Sequence, residues 1–191
     1  MKRRIAVLFS GVGSTFDYIA KHFENDEVEI AVALTNRSDA GGMDVARRFG
    51  IPLELVESRR FERREDFDRA VLEALEPYGV ELVVLAGFMR ILTSVFTESV
   101  RAINLHPSLL PRHKGLDGIR KSWEDPYPEG GATVHWVSAE LDGGEIILQH
   151  TIPKKGLDYE SYYGAVRRAE KELLVEAINY VLEEKVLEEK G

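Results

Sequence analysis

The stretch from Ile5 to Phe23, "IAVLFSGVGSTFDYIAKHF", decides the fold. Its first five residues are continuously apolar, the pattern of a strand covered on both faces rather than one. Glycines at positions 11 and 13 interrupt the run. From Thr15 to Asn25 apolar residues return at helical spacing. A buried strand, a glycine turn and a helix in that order open an α/β sheet.

The same alternation continues outward. "VEIAVALT" (28–35), "ELVVLAG" (81–87) and "AINLH" (102–106) read as further strands, after "IAVLFS" (5–10). Helical patterns over Gly42–Phe49 and Arg63–Tyr78 lie between them. This implies an open, mostly parallel, Rossmann-like sheet with helices on both faces. The C-terminal half changes character. "ATVHWVS" (132–138) and "EIILQHTI" (145–152) are separated by "AELDGG" and read as an antiparallel strand addition. A last helix is expected from Tyr159 to Glu184, with Tyr159, Tyr162, Val166, Leu173, Ala177 and Val181 on its apolar stripe. No repeat or linker divides the chain, which reads as a single domain over 1–191.

Composition narrows the function classes. Hydrophobic residues make up 44% and charged residues 30% of the 191, as in a globular domain. The absence of cysteine excludes disulfides and thiolate metal sites. No apolar run reaches the length of a membrane span, and the N-terminal run is too short for a signal peptide. A cytoplasmic protein that uses no membrane is therefore expected. The net charge of −8 disfavours a broad nucleic-acid surface, so nucleic acid is not an expected partner. Small-molecule substrates are.

Two motifs carry chemistry. In "SGVGST" (10–15) the glycines let the backbone approach a ligand, and the helix start offers N–H groups with a positive dipole end. A dinucleotide fingerprint would need glycine where Phe16 stands, and a P-loop would need Gly-Lys-Ser/Thr. The loop thus suits a phosphate monoester, and equally a plain turn capped by Ser14 or Thr15. The second motif is "NLHPSLLP" (104–111). Asn104 and His106 stand two apart at the C-terminal end of a strand, so they share a face where open α/β sheets bind ligands. An amide donor and an imidazole suit acyl transfer, in which an oxyanion develops and protons move between nitrogens. A helix-capping Asn and a surface His fit the same spacing. Asp142, in "LDGG" (141–144), can orient His106 if it reaches it, or belong to an ordinary hairpin turn.

Taken together, "SGVGST", "VVLAGFMRIL" (83–92), "NLHPSLLP" and "ELDGGEIILQ" (140–149) resemble the folate-dependent formyltransferases, and within them the branch of purine synthesis. The resemblance covers nearly the whole chain in order. It implies the formyltransferase fold and a reaction in which the amine of 5-phosphoribosyl-glycinamide takes the formyl group of 10-formyltetrahydrofolate, without a metal. It implies a phosphate-binding half over 1–100 and a catalytic, folate-binding half over 101–191. Asn104, His106 and Asp142 match the family's catalytic residues. Gly13, Ser14 and Thr15 match the substrate-phosphate loop, and Glu170 a substrate-binding glutamate. Arg64, Met89, Arg90, Ile91, Leu92, Asn104, Glu140, Leu141 and Asp142 match the folate pocket. A cis Leu110–Pro111 bond and a monomer or homodimer are implied as well.

Other readings remain at this point. An amino-sugar nucleotide formyltransferase would share the catalytic residues. A non-catalytic nucleotide-binding module would share the sheet, although Phe16 and Thr35-Asn36-Arg37 count against NAD. The other histidines carry less. His22 and His113 are expected to be exposed, and His135 and His150 to serve as packing or surface residues. None has metal-ligand spacing.

Overall fold

The structure is a computed structural model that describes the backbone of residues 1–190 and the side chains of residues 1–185. The chain divides into two compact units: Met1–Ile103 with Val137–Ala139, and Asn104–Trp136 with Glu140–Gly191.

The first unit contains β1 (Arg3–Phe9), α1 (Ser14–His22), β2 (Val28–Thr35), α2 (Gly42–Arg48), β3 (Leu53–Leu55), α3 (Arg64–Leu75), β4 (Leu82–Leu85) and α4 (Ser94–Thr97). It also holds the start of β5 (Ala102–His106). β1 pairs in parallel with both β2 and β4, and β2 with β3. Burial explains the continuous apolar runs. Ala6 and Leu8, with Val32, Leu34, Val83 and Leu85, form one core with Phe67, Val71 and Leu75 of α3. The alternate residues face the other way, where Phe9 stacks on Phe16 of α1 at 5.3 Å between centroids. Side chains two apart share a face, so a strand sandwiched between helices has no position left for polar residues.

β3, α4 and the second unit's α5 (Gly118–Glu124) escape the sequence reading. β3 is three residues long with Leu55 exposed, too short to show a period. The turn after β1 is governed by Gly13, at φ 83°. A Cβ there would lie 2.5 Å from the Cα of Gly42, so both conformation and space require glycine.

The second unit holds the end of β5, α5 (Gly118–Glu124), β6 (Glu129–Trp136), β7 (Ile146–Pro153) and α6 (Tyr159–Lys190). β6 and β7 are antiparallel, as expected, with an irregularity between Val134 and His135. β6 begins three residues before the expected strand. α6 packs on both strands and continues six residues beyond the expected Glu184. Tyr162, Val166 and Ala169 from its buried stripe join Ile119 of α5 and Ile152 of β7 in a core. Among the described residues, no helix is long and apolar enough to cross a membrane.

Candidate active site

The second unit brings two of the catalytic candidates, His106 and Asp142, together. His106 ends β5 and is 5% exposed; Asp142, in the loop between β6 and β7, is 8% exposed. Nδ1 of His106 lies 3.5 Å from Oδ2 of Asp142. A pairing that spacing alone left open is thus formed, between residues 36 apart in the chain. Asp142 adopts φ 50°, a left-handed conformation that Asp tolerates better than most residues, and this aims its carboxyl inward. Its Oδ2 also accepts the N–H of Gly115 at 2.8 Å.

His106 is fixed from the opposite side. Its Nε2 lies 2.8 Å from the carbonyl of His113. The segment between them is latched to the strands. Thr133 Oγ1 of β6 donates to the carbonyl of Ser108 and accepts the N–H of Leu110. Gln149 of β7 donates to the carbonyl of Leu110, and Ser108 Oγ donates to that of Arg112. The Leu110–Pro111 bond is cis, as the resemblance implied. His113 is half-buried rather than exposed. Its ring lies 2.7 Å from Asp125, which also accepts from Lys154 at 2.6 Å. Burial pushes the Asp125 carboxyl up, but Lys154, His113 and the N–H of Tyr127 outweigh it and leave it below the usual range.

Sequence reasoning missed His135. It sits on β6, is 2% exposed, and places Nε2 at 3.7 Å from Oδ1 of Asp142. Its strand pattern marked it as a packing or surface residue, and no local signal revealed the carboxylate facing it. Burial favours the neutral form of Asp142. His135, the Gly115 N–H and His106 oppose it, and the carboxyl lies below its ordinary value.

The remaining residues separate by burial. Asn104 is half-buried, with Glu140 and Leu141 exposed beside Asp142. Glu140 pairs with Lys114 at 3.1 Å. Glu170 of α6 is 3% exposed and bonds Arg167 at 2.7 Å. Burial nevertheless holds its carboxyl above the usual range, against the pull of Arg167.

The first unit holds the other candidates. Gly13 caps α1 with no side-chain bond, so neither hydroxyl serves as its cap. Ser14 is exposed, whereas Thr15 is buried. In the 89–92 segment Met89 and Ile91 are exposed, but Leu92 is 5% exposed and belongs to the core. The guanidinium of Arg90 lies over Phe67 at 5.0 Å, with a buried Nε that bonds nothing among the described residues. Met89 and Arg90 border a cavity of about 500 Å³ shared with Asn36, Arg37, Glu57 and Arg59. Two buried groups hold this segment. Ser10 Oγ accepts the Met89 N–H at 2.8 Å while donating to Asn36 Oδ1, and Asp68 Oδ2 accepts the Thr93 N–H at 2.7 Å. Arg64 is exposed at the first turn of α3.

Comparison with known proteins is consistent along the chain. Residues 3–178 match the profile of the formyl transferase family. Phosphoribosylglycinamide formyltransferase of Escherichia coli (strain K12) is 39% identical over 153 residues, covering 78% of this chain and 72% of that protein. The trifunctional purine biosynthetic protein adenosine-3 of Homo sapiens is 35% identical over 94% of this chain, which spans only 18% of that protein. The crystal structure of phosphoribosylglycinamide formyltransferase from Campylobacter jejuni superposes with a TM-score of 0.91. The two are 39% identical, and the match covers 95% of this chain and 98% of that one.

Proposed function

Because the chain belongs to the formyl transferase family, we propose that it transfers the formyl group of 10-formyltetrahydrofolate to the amine of 5-phosphoribosyl-glycinamide. The products are formyl-glycinamide ribonucleotide and tetrahydrofolate, in purine synthesis. The observation that carries this reading is the pairing of His106 with Asp142 at the end of β5, in a chain 39% identical to a phosphoribosylglycinamide formyltransferase.

In this reading the acceptor amine, neutral above an α-amino pKa of ~8, adds to the formyl carbon. Asn104 donates its amide N–H to the carbonyl oxygen as charge develops there. His106 also donates to that oxygen, then carries the proton released by the attacking nitrogen to the departing one. Asp142 orients His106 and stabilises its charged form. No covalent enzyme intermediate is needed. For His106 to reach substrate, its Nε2 must exchange the His113 carbonyl for the reacting group.

Gly13 and Ser14 take the acceptor phosphate through backbone N–H groups and one hydroxyl, and the buried Glu170 takes a hydroxyl or amine of the same substrate. Met89, Arg90, Ile91, Glu140 and Leu141 supply exposed or half-buried surface for the folate, and Arg64 meets its acidic tail. Thr15 and Leu92 support the backbone beside them. The partners are small molecules, the compartment is the cytoplasm, and the chain acts as a monomer or homodimer. The test is formyl transfer from 10-formyltetrahydrofolate with phosphoribosyl-glycinamide and an amino-sugar nucleotide as competing acceptors. Preference for the sugar nucleotide, or no turnover with either, overturns the assignment.

A further inference from the structure

The two histidines that flank Asp142 have each committed a proton to a backbone carbonyl. A carbonyl only accepts, so Nδ1 of His135 carries the hydrogen that meets the Trp136 carbonyl at 2.8 Å. By the same logic Nε2 of His106 carries the hydrogen directed at His113. In a neutral imidazole the other nitrogen is then a bare lone pair. For His135 that nitrogen is Nε2, which is buried, bonds no other group among the described residues, and faces a carboxylate oxygen. Two acceptors confronting each other away from water are unfavourable.

The two oxygens of Asp142 differ in what else they meet. Oδ2 already accepts the Gly115 N–H, so it does not require a proton on His106. Oδ1 meets only His135 among the described residues. A proton on Nε2 satisfies both atoms at once. We propose that His135 is a positioning residue for the reaction, carrying this proton as an imidazolium and acting as the standing counter-charge of Asp142. Asp142 then remains anionic and aligned while His106 gains and loses its proton. The groups facing the cluster are His106 from β5 and the Gly115 N–H from the following loop, with the Lys114–Glu140 ion pair spanning the same two loops.

The direct test needs no turnover. In the intact chain labelled with ¹⁵N-histidine, both ring nitrogens of His135 are expected to be protonated at pH 7. The resonances are assigned by their loss in His135→Gln. A bare Nε2 at pH 7 overturns the proposal. The kinetic test rests on the formyl-transfer reading. His135→Leu should lower kcat roughly tenfold on the acid side of the pH profile and move that limb to higher pH, with KM for phosphoribosyl-glycinamide unchanged. His135→Gln, which can still donate to Oδ1, should recover part of the loss. A His135→Leu profile that superimposes on the parent's overturns the role. An inactive parent would instead overturn the formyl-transfer reading and leave the NMR outcome standing.

Discussion

The glycine turn of the first unit and the aspartate cluster of the second solve opposite problems. The turn offers backbone: Gly13 has left-handed geometry, no side chain caps α1, and Ser14 lies in solvent. The cluster offers side chains, two buried imidazoles around one buried carboxylate. Backbone donors keep their hydrogens at any ordinary pH, so the turn's properties follow from shape. The cluster's properties follow from where its protons sit. Substitutions should therefore act through stability and KM at the turn, and through kcat and pH at the cluster.

The largest effect tests the cluster. Asp142→Asn and His106→Ala should each lower kcat on the order of 10²-fold or more, with the far-ultraviolet dichroism of the parent retained. A His106→Ala enzyme with near-normal turnover would end the comparison. At the turn, Gly13→Ala should destabilise by about 1–3 kcal/mol in denaturant melts, because it adds both a left-handed alanine and a clash with Gly42. Ser14→Ala should raise KM for the acceptor about fivefold, as expected for the loss of one hydrogen bond, with kcat unchanged. A fall in kcat instead would blur the distinction between the regions.

Glu170 gives the smallest effect and a sign that can be checked. Its folded carboxyl titrates above the unfolded one, so as pH rises the unfolded state ionises first and stability is lost up to the raised value. Glu170→Gln should therefore melt at a higher temperature than the parent at neutral pH. The two should converge below about pH 4, where the glutamate is protonated in both states.

What the sequence disclosed follows the range of its signals. β1, β2 and β4 were legible because helices cover both faces and leave uniform apolar runs. The His106–Asp142 pair was legible only through the resemblance: a strand-end histidine and a turn aspartate each have an ordinary reading, and only tertiary folding closes 36 residues between them. His135 was overlooked for a related reason, since a buried histidine in a strand looks the same from the sequence whether it faces a leucine or a carboxylate. Leu92 shows the converse. The resemblance groups it with Met89, Arg90 and Ile91 in the folate pocket, and its own side chain packs into the core.

The double anchoring of Met89–Thr93 by Ser10 and Asp68 has a thermodynamic consequence. Both anchors are buried groups of the protein itself, so the folded core holds this backbone in place. Ordering a residue costs roughly 1–2 kcal/mol, and for these five the two anchoring hydrogen bonds offset part of that cost. Removing the Ser10 hydroxyl or the Asp68 carboxylate would leave one N–H of this segment without its acceptor.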